Sequence, residues 1–334
     1  TSADMDFTRA TSATRVNPSG IVDGITTGLP RLDYSVSESC PHILVEPQRT
    51  NLFTYSEDFS NAAWTKQSAG TGSNPIVTAN NVVSPDGTQN ADKIVFNAGS
   101  GTTSSDQSQI IDSATFPDNT SGTVSIYLKG ENGGEQITLR GVADLTYTLV
   151  TLTTEWQRFS TTENSGTNQD GITFGIRQDV SGHGVINSSA TIYAWGAQLE
   201  EGAYATSYIP TEGSTVTRNK ETFERTGIAD LINSSEGVLF IEMAALADDG
   251  TTRQISLSDG TNDNRVTIGL SNSSDTVSAQ VKNGSLQMNK TNAMTQTNFN
   301  KIAVKWKEND MALWLNGTEV QTDLSGTTPS ALNE

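Results

Sequence analysis

An all-β fold is predicted by three observations on this sequence. Asp-Gly and Asn-Gly pairs recur from end to end, among them Asp23-Gly24, Asp86-Gly87, Asn132-Gly133, Asp259-Gly260, Asn283-Gly284 and Asn316-Gly317. Such pairs tolerate positive φ and favour the tight turns of hairpins. Between them lie short runs in which apolar and polar residues alternate, a period of two that puts one set in a core and the other on the opposite sheet face. Sustained helical periodicity is nearly absent, and only residues 226–233 (TGIADLIN) predict a short helical turn. Many short strands separated by turn signals point to antiparallel β-sandwiches. At 334 residues the chain has room for two, each with its own core.

Residues 1–50 predict an irregular leader, rich in turn residues and carrying Arg9, Arg15 and Arg31. These arginines are expected to bind backbone carbonyls or acidic neighbours while the leader packs along a sandwich or a neighbouring subunit. Residues 51–215 predict the first sandwich. Its alternating runs are Val124, Ile126 and Leu128; Ile137 and Leu139; and Ile172, Phe174 and Ile176. A polar connector near Gly213–Arg218 follows, and residues 216–334 predict a second β-domain. Trp64 is expected to pin its loop, Trp156 and Trp195 to be structural parts of their strands, and Trp306 and Trp314 to be core residues of the second sandwich, none of them ligand platforms.

The segment QRTNLFTYSEDF (residues 48–59), together with TIYAWGAQLEEGAYATSYIP (residues 191–210), resembles the jelly-roll, carbohydrate-binding-like modules of tailed-bacteriophage fibres, head spikes and tail proteins. The leader, with FTRATSATRVNPSGIVD, GLPRLDYS and ILVEPQRTNL, resembles what precedes that jelly roll in such proteins. The second domain resembles the concanavalin-like, laminin-G-like sandwiches through GVLFIEMAAL (237–246), RQISLSDGTNDNRVTIGL (253–270) and FNKIAVKWKENDMALWLNGTEV (299–320). The resemblance implies two tandem antiparallel sandwiches, a jelly roll and then a concanavalin/laminin-G-like module. It also implies closing strands after residue 334, so the second sandwich is expected to be incomplete at its C-terminus, with bare strand edges that invite association.

Composition narrows the function. With 20 Lys and Arg against 38 Asp and Glu, the net charge is −18. Phosphate-rich partners would be repelled, so nucleic acid and anionic membranes are disfavoured. No apolar run approaches the ~20 residues that span a bilayer, and the N-terminus lacks a signal-peptide pattern and an initiator Met. The single cysteine, Cys40, permits no intrachain disulfide and suits folding in a reducing cytoplasm. The two histidines, His42 and His183, stand in no nucleophile-elbow or metal-cluster context.

Carboxylate pairs deserve a glycosidase test, because that chemistry needs only two. Glu57-Asp58, Glu200-Glu201 and Asp248-Asp249 are adjacent, and neighbours on a strand face opposite ways. No enzyme activity is therefore expected. Jelly-roll modules of the kind resembled often hold a structural Ca²⁺ between opening and closing strands, which makes Glu57, Asp92 and Glu200 its candidate oxygen ligands. For sugar, Tyr127, Arg140 and Arg177 are the candidates, taken as the polar face of three neighbouring strands, with an aromatic ring to stack and guanidinium groups to fix hydroxyls.

These observations predict a non-enzymatic virion appendage protein, a head spike or tail fibre. It would be folded in the host cytoplasm, extracellular after release, and adsorb to host-surface polysaccharide. The partners expected are other copies of the chain, as a homotrimer, and other virion proteins, with no membrane insertion. Weak sites repeated on an oligomer would act by avidity. The rivals are the accessory portion of a polysaccharide depolymerase or lyase, a purely architectural capsid decoration protein, and a bacterial surface adhesin.

Overall fold

A computed structural model describes residues 5–35, 40–142, 146–166 and 170–334. The terminal residues 1–4, which form part of the N-terminus judged above to lack a signal pattern, lie outside them. The chain is all-β, its only helical element among the described residues being a single 3₁₀ turn, Ala229–Leu231, inside the segment predicted to be helical. No helix among the described residues is long and apolar enough to cross a membrane. Two compact units form, one spanning Phe7–Thr222 and the other built on Phe223–Glu334.

In the first unit, ten strands make the sandwich: β1 Thr65–Ala69, β2 Ser73–Val82, β3 Ala91–Asn97, β4 Gln107–Thr115, β5 Ser121–Gly130, β6 Gln136–Arg140, β7 Thr148–Thr151, β8 Gln157–Asn164, β9 Asp170–Arg177 and β10 Ser189–Glu201. One five-stranded sheet has the order β7-β6-β9-β4-β1, the other β8-β5-β10-β3-β2. The predicted alternation is what closes the core. Val124, Ile126, Leu128, Ile137, Ile172, Phe174 and Ile176 are completely buried and Leu139 nearly so, in one cluster with Phe96, Ile110 and Ile192. Each such side chain contributes roughly 1.5–3 kcal/mol by leaving water. Trp64 is core as well, packed against Phe53 and Phe59 with its indole N–H on the Tyr55 carbonyl at 2.8 Å.

Strand β10 departs from strict alternation once. Ile192 and Ala194 face the core, and so do Ala197 and Leu199, which requires an extra residue between the two pairs. The pairing with β5 slips there, between Ser125 and Tyr127. Gly196 makes the slip, at φ +64°, where a Cβ would approach the Tyr127 ring to 3.1 Å. The bulge turns Trp195 onto the outer face, and the leader covers it. A hairpin of Ala13–Val16 with Val22–Ile25 lays Val22 in one cluster with Ala91, Trp195 and Tyr208.

The leader is held by buried charge. The Glu221 carboxylate accepts Arg9 Nη1 at 3.0 Å, Arg31 Nε at 2.6 Å, Arg31 Nη2 at 2.7 Å and the Glu46 N–H at 2.8 Å. Glu46 pairs in turn with Arg31 and Arg218, both at 2.9 Å. Burial alone would push the Glu46 carboxyl up, but Arg218 and Arg31 outweigh it and hold the group below its ordinary value. Arg15 binds Asp23 and the Leu32 carbonyl nearer the surface. Arg9, Arg15 and Arg31 thus bind acids and carbonyls, as expected of them. Ions this deep are stable only when every charge is matched, so the leader and the residues after β10 constrain each other.

The second unit stacks two four-stranded sheets. The strands are β11 Glu236–Met243, β12 Arg253–Ser258, β13 Asn264–Leu270, β14 Thr276–Asn283, β15 Ser285–Ala293, β16 Asn300–Lys307, β17 Met311–Leu315 and β18 Thr318–Asp323. Their orders are β11-β16-β17-β18 and β12-β13-β14-β15. Val266, Ile268, Val277, Ala279, Ile302, Val304 and Leu313 are fully buried between them. Trp306 lies in this core over Gly237, where a Cβ would meet its ring at 2.4 Å. Trp314 is a correction. It is 38% exposed, because its strand position faces outward in register with Ala303, while its neighbour Leu313 takes the inward place.

Candidate functional site

The expected platform of Tyr127, Arg140 and Arg177 does not form, for a topological reason. Strands β5 and β6 follow each other in the chain but belong to opposite sheets. Tyr127 therefore faces out from the sheet that the leader covers, against Trp195 at 5.4 Å, Tyr208 at 6.5 Å and the Arg158 guanidinium at 5.3 Å. Arg140 and Arg177 remain together on the other sheet, β6 and β9 being neighbours there.

What unites those two arginines is Tyr147, from the segment before β7. Their guanidinium carbons lie 5.8 and 5.2 Å from its ring centroid. Arg177 Nη1 donates to the Tyr147 hydroxyl at 2.9 Å, and its Nε donates to the Ser104 carbonyl at 3.0 Å. Arg140 Nη2 donates to Thr173 Oγ1 at 3.0 Å. The Tyr147 N–H donates to Ser181 Oγ, and His183 Nε2 bonds the Tyr147 carbonyl, so the ring is fixed from both sides of its backbone. His183, in Ser-Gly-His-Gly, thereby has a positioning job in a turn.

Beside this trio the outer face of the sheet is polar and buried. In register across β4, β9 and β6 stand Gln109, Gly175 and Thr138, with Gln107 opposite Arg177 one row away. Gln107, Gln109, Thr138 and Thr173 are all buried, and at Gly175 a Cβ would meet the Ser108 carbonyl oxygen at 2.4 Å and the core ring of Phe96 at 2.8 Å. Gln109 is 2% exposed, yet its Nε2 has no partner among the described residues. A buried donor left open costs about 1–3 kcal/mol. Two cations over an aromatic ring, beside buried amides and hydroxyls, can orient a polyhydroxylated ligand. No periodic signal marks Tyr147, which precedes its strand, or Gln109, whose run reads as ordinary alternation.

The three proposed calcium ligands are each committed to protein donors. Glu57 accepts the Tyr208 hydroxyl at 2.8 Å and the Asn90 amide at 2.9 Å, and burial pushes its carboxyl up. Asp92 accepts the Phe59 and Asn80 N–H groups at 2.8 and 2.9 Å, and burial, opposed by these bonds, raises it to about 6. Glu200 accepts the Thr206 N–H at 2.8 Å and the Thr206 hydroxyl at 2.6 Å, with Arg49 at 3.7 Å. Among the described residues, no group of three or more His, Cys, Asp and Glu is arranged to hold a metal ion. The carboxylates that act on Glu57 are Asp86 and Glu212 rather than Asp92 or Glu200. The Asn90 Nδ2 bridges Glu57 and Asp86, at 2.9 and 3.0 Å, and its Oδ1 is left buried without a partner.

No family model matches the chain, and no curated protein matches its sequence. Among solved structures, the N-terminal CBM22-1–CBM22-2 tandem domain of Paenibacillus barcinonensis Xyn10C is 13% identical, with 84% of this chain and 90% of that one covered at a TM-score of 0.33. A CBM4 module is 17% identical, with 39% and 87% covered at a TM-score of 0.26. The tripod from the baseplate of bacteriophage Tuc2009 is 11% identical, with 76% and 100% covered at a TM-score of 0.23. Likeness at these scores carries no argument about ligand or partner.

Proposed function

We infer that this chain is a non-catalytic appendage protein of a tailed-phage virion, which contacts host-surface glycan through its first sandwich. The observation that carries the inference is the convergence of Arg140, Arg177 and Tyr147 on a polar sheet face with the open amide of Gln109. The leader, held by buried ion pairs, supports it too, since an appendage must hold its modules firmly to the segment that precedes them. The acidic surface suits a particle that must not adhere to nucleic acid. The assembly proposed is a homotrimer in which weak sites act together.

The test is a glycan array and intact host cells, probed with the purified oligomer. Binding that Arg177→Ala abolishes, in a protein that still melts cooperatively, supports glycan contact at this face. Binding unchanged in Arg177→Ala and Tyr147→Ala moves the contact elsewhere, and sugar release in the same assay would establish an enzyme.

A second function, that of an architectural spacer, is favoured by one observation: Tyr147 is only 4% exposed and fills the face on which a sugar ring would stack. Failure of a verified, folded oligomer to bind any glycan would select it. For calcium, the pair Glu57–Asp86 with Asn90 is the proposed location. A melting temperature that falls on chelation in the wild type but not in Glu57→Gln supports that location, and a chelator-insensitive melt removes it.

A further inference from the structure

One cleft of the first unit has no part in the function proposed above. It is an open groove of about 480 Å³, lined by Asp112, the hydroxyl residues Thr54, Ser113 and Thr115, and the apolar Leu52 and Ala63. Asp112 stands in register with the core residue Ile172, on the inner side of its sheet, just before the pairing of β4 with β9 slips between Asp112 and Thr115. Gly171 permits the slip, at φ +58°, where a Cβ would fall 1.7 Å from the Asp112 carbonyl oxygen. Bulges of this kind re-aim side chains and are over-represented next to binding sites.

Asp112 is 6% exposed, and one of its carboxylate oxygens opens to the cleft. One oxygen accepts the Ala114 N–H at 2.8 Å, while the other takes no bond from any described residue. Burial accordingly raises the group to about 6, with only the Ala114 N–H opposing. Among the described residues, neither lysine nor arginine lines the cleft. An acidic ligand would therefore meet a carboxylate with no countercharge, whereas hydroxyl groups can donate to the open oxygen.

We propose that this cleft is a binding site for a neutral, hydroxyl-rich ligand, one pyranose ring of an uncharged glycan. The open carboxylate oxygen accepts from ring hydroxyls, the Thr54, Ser113 and Thr115 hydroxyls donate or accept as required, and Leu52 and Ala63 meet the C–H face. Few polar groups converging on a small apolar surface is the ordinary anatomy of such sites. The ligand class rests on the glycan-binding function inferred above, but the residues are different and lie on the inner side of the sheet.

The experiment is saturation-transfer NMR on the full chain with methyl glycosides of glucose, galactose and mannose, using wild type, Asp112→Asn, Thr115→Ala and Arg177→Ala. Asp112→Asn keeps an oxygen for the Ala114 N–H, and its melting curve verifies the fold. The expected result is that at least one glycoside binds wild type and Arg177→Ala alike, weakens about tenfold in Asp112→Asn through loss of a charge-assisted bond, and weakens less in Thr115→Ala. Equal binding by Asp112→Asn overturns the site. So does an absence of glycoside binding in a protein that still binds polysaccharide on the array, and that outcome leaves the appendage function standing. Absence of binding in both assays overturns the glycan function itself.

Discussion

Removal of the Glu221 side chain is expected to unlock the leader. Its carboxylate is completely buried and takes three hydrogen bonds from Arg9 and Arg31 and one from the Glu46 N–H. Glu221→Ala leaves Arg9 facing carbonyls alone and Arg31 dependent on Glu46, both cut off from water. Breaking a buried pair from one side costs about 3–5 kcal/mol, because a buried charge is left uncompensated. For a unit of about two hundred residues, each kcal/mol moves the melting temperature by about 2–4 °C, so the first transition should fall by roughly 6–20 °C. Arg15→Ala, which opens a partly exposed pair with Asp23, should cost no more than about 1 kcal/mol. Calorimetry of both variants, with hydrogen exchange across residues 7–33, reads the difference. If Glu221→Ala melts within 3 °C of Arg15→Ala and leaves the leader equally protected, the buried network does not hold the leader and the reasoning fails.

Three further outcomes follow from single sites. Asp112 ionises near 6 in the folded chain against an ordinary 3.8, so the fold binds the proton more tightly than the unfolded chain does. Its contribution makes the first unit lose stability as pH rises from about 4 to about 6, with the full penalty above that window and none below it. The penalty is at most about 3 kcal/mol, and about half that once solvent screening is allowed for; urea titrations should show Asp112→Asn more stable than wild type at pH 7.5 and level with it at pH 3.5. In the second unit, Trp306→Ala should cost about 3–5 kcal/mol, while the outward Trp314→Ala should cost under half of that, as read from denaturant midpoints. Gly237→Ala, which drives a methyl into the Trp306 ring, should cost about 1–3 kcal/mol and shift the tryptophan emission.

Period-two alternation is a local signal, and the inward set read from it is the set that the core buries: Val124, Ile126, Leu128, Ile137, Leu139, Ile172, Phe174 and Ile176. Which sheet a strand joins is not local. The turn between β5 and β6 crosses from one sheet to the other, so Tyr127 and Arg140 were separated by a step that no residue in the turn announces. The same limit hid the partners of the leader arginines, since Glu221 lies 212 positions from Arg9. Only the need for some partner was legible. Trp314 shows the finer failure: it sits in a strand correctly inferred, and one residue of register, set by the inward demand of Leu313, turns it outward, whereas Trp195, structural as expected, owes its direction to the Gly196 bulge. Direction matters more than identity for a binding surface, because the same tyrosine or arginine is a ligand contact on one face and a packing residue on the other. Arg177 embodies the point. Its alternation placed it outside the core, but Tyr147, a residue with no periodic signal, sets what its guanidinium can offer to a sugar.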